Sequence, residues 1–316
     1  MLQILMFHTT LTDEIARIEN QYGVKIHLSS PDNLPGSEIL NQIEAVAGYL
    51  PADIGEKLPN LRWMHLFSAG VERSVDYAAA RGLLLTNGRG AYGIVIAEHS
   101  LALMLALSRR LDFAVSNMPS GNWDRSAGTG AREIRGSTVG IVGLGDIGGR
   151  LAYLCHALGA TVLAYKRTPG QAAPYIERLY TGDKGLDDML AECDYVAVCL
   201  PGTPKTRHLF DEARLTKIKP GAILTNIGRG TIIDTDALVR LLKSGHIAGA
   251  GLDVTDPEPL PAGHELWRLP NVIITPHVAG SSNNIPGRVI GVFEENLAAY
   301  LRGVDPPNRV NYIEGY

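Results

Sequence analysis

Three residues in the C-terminal half of the chain are of the types that do redox chemistry on a small acid. Arg229 lies between Gly228 and Gly230, Glu258 between Pro257 and Pro259, and His277 directly after Pro276, and each follows a short apolar run that reads as a strand. In an open parallel sheet, ligands gather beyond the carboxyl ends of the strands, so three such strand ends bring these side chains to one crevice. Singly, each has a plain structural reading as a surface turn, a solvated loop or a structural histidine. As a set they divide the work of carbonyl reduction. A guanidinium forks onto a carboxylate, an imidazole gives and takes a proton near neutral pH, and a carboxylate keeps that imidazole charged. The chemistry expected is reduction of a 2-keto acid or oxidation of the corresponding 2-hydroxy acid.

Such a reaction needs a hydride carrier, and VGIVGLGDIGGRLAYLCHALG supplies the loop for one. Gly143, Gly145 and Gly148 stand in G-x-G-x-x-G spacing, with Asp146 and Ile147 on the same turn, after an apolar strand and before a helix. The first glycine allows the turn, the second lets a pyrophosphate approach the backbone, and the third lets the helix pack close to the strand. The phosphates then sit at a helix N-terminus. The next strand, TVLAY, is followed by Lys166, Arg167 and Thr168, where an NAD site carries an acid for the ribose 2'-hydroxyl. Two cations and a hydroxyl suit a 2'-phosphate instead, so NADP(H) is expected over NAD(H), with NAD(H) remaining usable.

The elements that must position these groups can be read from apolar periodicity. Val139 to Val142, Thr161 to Tyr165, Tyr195 to Leu200, Ala222 to Ile227, Gly249 to Val254 and Val272 to Thr275 alternate with helical segments, which predicts an α/β doubly wound (Rossmann) sheet of six parallel strands. Leu2 to Phe7, Val24 to Leu28, Ala45 to Leu50, Trp63 to Phe67 and Leu83 to Thr86 predict a second, smaller flavodoxin-like α/β unit. Between them Ile94 to Phe113 has helical character, and Asn283 to Leu301 reads as a closing helix. The expected division is residues 95–282 for the dinucleotide-binding domain and residues 1–94 with 283–316 for the substrate domain.

Composition narrows the class. At 316 residues, with 45% apolar and 20% charged, the chain can build two cores. A formal charge of -4 without a long basic run gives no reason to expect nucleic acid. The longest apolar stretch, Leu101 to Leu107, runs into Arg109 and Arg110 and is too short to cross a membrane. MLQILMFHTT carries no basic, signal-like start and is read as mature sequence. Cys155, Cys193 and Cys199 have no CxxC spacing and read as small buried hydrophobes in a cytoplasmic protein, and no metal site is expected.

The segments REIRGSTVGIVGLGDIG, VAVCLPGTPKTRHLF, LTNIGRGTIIDTDAL, AGAGLDVTDPEPL and LWRLPNVIITPHVAG, in this order, resemble the D-isomer-specific 2-hydroxyacid dehydrogenase family along essentially the whole chain. The dibasic segment is most similar to its NADP-dependent glyoxylate/hydroxypyruvate reductase branch. The resemblance implies Arg229 for the substrate carboxylate and carbonyl, His277 as general acid and base, and Glu258 as its partner. It also implies a substrate-carboxylate nest in the backbone of Ser68, Ala69 and Gly70, and Asp253 on the nicotinamide carboxamide. Cofactor contacts are implied at Leu200, Pro201, Thr206, Ile227, Gly228, Arg229, His277 and Gly280. Substrate selectivity is expected around Leu50 to Pro51, Leu66 to Val71, Arg89 to Tyr92, Ser281 and Ser282. Arg89 reads equally as a ligand for a polar tail or a solvated cation, and Tyr92 reads more as packing. Trp123 corresponds to a region that in some relatives reaches a neighbouring subunit, and a homodimer through Glu98 to Arg110 is expected. Competing readings on the same scaffold are a formate or phosphite dehydrogenase and an NAD(P)-sensing corepressor-like module. Formate dehydrogenases carry Gln at the position of Glu258, and the corepressor branch favours NAD.

Overall fold

The computed structural model describes residues 1–7 and 12–315, folded as two compact units: Met1–Tyr92 with Ser282–Tyr316, and Gly93–Ser281. The first unit carries β1 (Gln3–Met6), β2 (Lys25–Leu28), β3 (Ile43–Ala47), β4 (Trp63–His65) and β5 (Leu84–Thr86), all parallel, in the order β2-β1-β3-β4-β5. Strand alternation sends Leu5, Val46, Met64 and Leu85 into one apolar layer and Ile4, Met6, Ala45 and Trp63 into the other. The second layer is closed by Ile290, Phe293 and Leu297 of the helix Ile285–Leu301, which brings the end of the chain back onto its beginning.

The second unit is a seven-stranded parallel sheet of β6 (Thr138–Val142), β7 (Thr161–Tyr165), β8 (Arg178–Tyr180), β9 (Tyr195–Val198), β10 (Ala222–Asn226), β11 (Ile247–Leu252) and β12 (Val272–Ile274). Its order, β12-β11-β10-β9-β6-β7-β8, reverses direction between β6 and β9, the switch point at which doubly wound sheets bind ligands. Both faces are covered: Val142, Val196, Val198 and Leu224 enter one core and Val139, Ile141, Ala197 and Ile223 the other. That double burial explains why these strands read as nearly unbroken apolar runs. The expected six strands are corrected to seven. β8 is an edge strand of three residues, RLY, preceded by Glu177, and neither its length nor its polarity offers a period to read.

The helix Gly93–Ser108 lies on β10, β11 and β12. It comes so close that a Cβ on Gly251 would lie 2.8 Å from Leu103 Cβ, which accounts for a small residue in the middle of β11.

Candidate active site

The dinucleotide loop joins β6 to the helix Asp146–Ala157. Gly143 turns with φ 103°, and a Cβ on Gly148 would fall 2.0 Å from Gly143 O, so helix and strand meet at a distance that only glycine permits. Gly145 is different: a Cβ there meets nothing within 4 Å. It is the N-cap of the helix, and no side chain caps the N–H groups that follow. Open space above uncapped, positively polarised N–H groups fits a pyrophosphate. Asp146 does not aim its carboxylate into that space. Its Oδ1 accepts from Arg150 Nε at 2.8 Å, and its Oδ2 would lie 2.1 Å from a Cβ on Gly93. Ile147 is half-buried in the first turn of the same helix.

After β7 the chain offers Lys166, half-buried, with Arg167 and Thr168 exposed. The Lys166 ammonium folds over Gly170, whose Cβ position is 2.6 Å from Nζ. After β9, Leu200 and Pro201 enter a turn closed by Thr206. Its hydroxyl donates to Pro201 O at 2.8 Å and accepts from Thr203 N at 2.9 Å, so the Thr206 side chain shapes the loop.

The three strand ends beyond β10, β11 and β12 interlock. Asn226, the last residue of β10 and 1% exposed, accepts from Gly228 N at 3.1 Å and donates to Arg229 O at 3.0 Å. Arg229 Nη1 donates back to Gly228 O at 2.8 Å. A Cβ on Gly230 would lie 1.9 Å from Thr255 O, so this turn rests on the segment that leads to Glu258. Ile227 and Gly228 are buried beneath it.

Glu258 and His277 meet: Nδ1 and Oε1 are 2.6 Å apart, with both side chains close to half exposed. A carboxylate has only acceptors, so Nδ1 carries a hydrogen and Nε2 is the nitrogen left to exchange a proton. His277 is held at φ 54°, a backbone region uncommon for a residue with a side chain. Asp253 holds it there. The Asp253 carboxylate is 3% exposed and accepts from Val278 N at 2.9 Å, Ala279 N at 3.0 Å and Thr275 Oγ1 at 2.6 Å, and its backbone oxygen accepts His277 N at 2.9 Å. Gly280 follows in the same turn and is half-buried.

In the other unit, Ser68, Ala69 and Gly70 follow β4. Ser68 O accepts from Gly88 N, Ala69 O from Asn87 Nδ2, and Gly70 O from Ser68 Oγ, at 2.8, 2.9 and 2.8 Å. Tyr92 donates its hydroxyl to Phe67 O at 2.9 Å. With the carbonyls engaged, the N–H groups of these three residues are left without a hydrogen-bond partner among the described residues. Arg89 Nη2 is turned to Pro307 O at 3.2 Å. Trp123 is 90% exposed.

A family model for the NAD-binding domain of D-isomer-specific 2-hydroxyacid dehydrogenases matches residues 101–279. The chain belongs to this family. Among its relatives is a glyoxylate reductase of Aeropyrum pernix, 36% identical over 270 residues, which are 83% of this chain and 80% of that one. A D-isomer-specific 2-hydroxyacid dehydrogenase from Xanthobacter autotrophicus Py2, solved with NADPH and MES, superposes with a TM-score of 0.85 at 28% identity, covering 99% of both chains. D-lactate dehydrogenase of Aquifex aeolicus, solved with NAD and lactic acid, gives 0.75 at 28% identity, covering 95% of this chain and 96% of that one. The protein is therefore an oxidoreductase of the 2-hydroxyacid dehydrogenase family whose Rossmann-type unit takes a nicotinamide nucleotide. No described helix is long and apolar enough to cross a membrane. Among the described residues, no group of three or more His, Cys, Asp or Glu is gathered as for a metal ion.

Four residues that hold these turns, each within its own unit, carried no readable signal: Asn87 beside Ala69 in the first unit, and Asn226, His99 and Thr275 in the second. The only hint for Asn87 and Asn226 is position, a polar amide at the last residue of a strand or just past it. His99 Nε2 lies 2.9 Å from Thr275 Oγ1 across 176 residues of chain, a separation that no local pattern reports.

Proposed function

We propose that the protein reduces a small 2-keto acid, glyoxylate or hydroxypyruvate in kind, to the D-2-hydroxy acid with NADPH, reversibly. The observation that carries this reading is the His277–Glu258 pair at 2.6 Å, reached through the same loop cluster as Arg229. A bound dihydronicotinamide would supply the hydride. His277 Nε2 gives its proton to the carbonyl oxygen as that oxygen gains charge, and Glu258, hydrogen-bonded to Nδ1, fixes the ring's tautomer and orientation. Arg229 offers its guanidinium to the carboxylate and carbonyl of the substrate, and the N–H groups of Ser68, Ala69 and Gly70 would donate to a carboxylate. Gly145, Asp146, Ile147 and Gly148 would hold the pyrophosphate by their backbone, and Asp253 Oδ2, with one donor at 3.0 Å, has capacity for the carboxamide. Leu200, Pro201, Ile227, Gly228 and Gly280 would line the nucleotide.

NADPH is preferred in this reading because Lys166, Arg167 and Thr168 stand where a ribose-binding acid is missing. Exposed Ile94 and Leu105 on the helix Gly93–Ser108, Leu111 and Val115 on the helix Leu111–Asn117, and Met118 just beyond it support a homodimer. Three free thiols suit a reducing, cytoplasmic setting.

The test is the product. Hydroxypyruvate and NADPH incubated with the protein are expected to give D-glycerate by chiral chromatography. Recovery of L-glycerate, or of no hydroxy acid with any of several keto acids, contradicts the proposal.

A further inference from the structure

The Asp253 carboxylate fixes the turn that carries His277, and one group behind it has no assigned role. Thr275, just past β12, donates its hydroxyl to Asp253 Oδ1 at 2.6 Å. A hydroxyl has a single hydrogen, so the Thr275 oxygen can only accept from its other neighbour, His99 Nε2 at 2.9 Å. That settles the direction of the chain of bonds: His99 Nε2–H to Thr275 Oγ1, and Thr275 O–H to Asp253 Oδ1. His99 Nε2 also lies 3.7 Å from Oδ1 of the buried carboxylate itself.

His99 sits on the helix Gly93–Ser108, at a height fixed by the close seating of Leu103 against Gly251. The helix begins where the chain passes from one compact unit to the other. Past the carboxylate, Val278 N and Ala279 N donate to the same oxygens, and His277, at φ 54°, gives its N–H to both Asp253 O and Thr275 O. Backbone in that region persists where neighbouring groups over-determine it.

We propose that His99 is a positioning residue of the reaction: its Nε2–H sets the Thr275 hydroxyl and through it the Asp253 carboxylate, which aims the His277 turn and presents Oδ2 to the nicotinamide amide. This inference rests on the reading of the site as a hydride-transfer site. Its consequence is that a change at His99 moves cofactor affinity and turnover together without contact with either reactant.

The test is a double-mutant cycle in the full chain, read by NADPH affinity from nucleotide fluorescence, by kcat, and by thermal stability. His99→Leu is expected to weaken NADPH binding and lower kcat by about tenfold each, the worth of one hydrogen bond beside a charge. His99→Gln, which keeps a donor at the position of Nε2, is expected to recover both to within about threefold of the parent. In a Thr275→Val background, His99→Leu is expected to cost little more, because the link is already cut. Nitrogen-15 spectra of the unliganded protein are expected to show His99 with hydrogen on Nε2. The proposal is overturned if Gln is no better than Leu, if the two substitutions act additively, or if His99 carries hydrogen on Nδ1 alone. Absence of turnover by the parent protein would instead sink the functional reading, and the spectra would still decide the hydrogen-bond direction.

Discussion

At the level of single residues, the contacts of His277 engage one ring nitrogen, Nδ1, and its backbone. Glu258 Oε1 occupies Nδ1 of His277 at 2.6 Å, and Asp253 occupies the backbone on both sides of the ring. Replacing Glu258 by Gln keeps an acceptor for Nδ1–H and removes the carboxylate charge beside the ring. We expect kcat for keto-acid reduction to fall by about 100-fold, the lower end of general acid–base effects, while NADPH affinity stays unchanged. Steady-state rates beside a nucleotide titration check this, and an unchanged kcat removes Glu258 from the proton path. Asn226 acts on Arg229 through the backbone, with both ends of its amide engaged at 3.1 and 3.0 Å. Asn226→Ala leaves Gly228 N and Arg229 O without those partners. KM for the keto acid is expected to rise by about tenfold or more, with a smaller effect on NADPH. Equal effects on both substrates would show that the turn is needed only for folding.

At the level of elements, the loop from β6 to the helix Asp146–Ala157 separates two uses of glycine. Gly148 is required by the protein, since its Cβ would be 2.0 Å from a backbone oxygen, whereas Gly145 faces open space. Gly148→Ala is therefore expected to lower thermal stability by about 3 kcal/mol or more. Gly145→Ala is expected to leave stability within about 1 kcal/mol and to weaken NADPH binding at least tenfold, because the added methyl stands where the pyrophosphate approaches. Melting curves and nucleotide titrations of the two variants distinguish these outcomes. The reverse pattern would place the nucleotide elsewhere. The same elements explain what was legible in the sequence. β6, β9 and β10 are buried on both faces, so their apolar runs announced them, and Arg229, Glu258 and His277 stood out as polar residues just beyond such runs. β8 pairs only with β7 at the sheet edge and left no such trace. Asn226, Thr275 and His99 were illegible because their meaning lies in the partner each one meets. For His99 that partner is 176 residues away and is chosen by the packing of a helix on β11.

At the scale of the whole molecule, stability also depends on buried groups away from the site. His65 of β4 is fully buried among Trp63, Phe67 and Phe293, with Nδ1 2.8 Å from Thr86 Oγ1 and Nε2 without a partner. Burial pushes its pKa down from 6.5 to about 3. Between those values the unfolded chain binds a proton that the folded chain refuses, so folding stability is full above pH 6.5 and declines as pH falls toward 3, by about 1.4 kcal/mol per unit. We expect urea midpoints to drop between pH 6.5 and 5 in the parent protein and to drop less in His65→Gln. Parallel curves would assign acid lability to other groups. Burial likewise pushes the Cys155 and Cys193 thiols up to about 12, which fits their place as packing groups in the sheet cores.

The central claim is hydride transfer from NADPH to a small 2-keto acid, and the most direct measurement is the rate of nucleotide oxidation with glyoxylate and with hydroxypyruvate, NADPH and NADH compared at matched concentrations. The account predicts turnover with at least one of these acids, kcat/KM at least about tenfold higher for NADPH, and loss of turnover by about a hundredfold or more in His277→Gln. Oxidation of neither nucleotide by any keto acid, or undiminished turnover in His277→Gln, would contradict it.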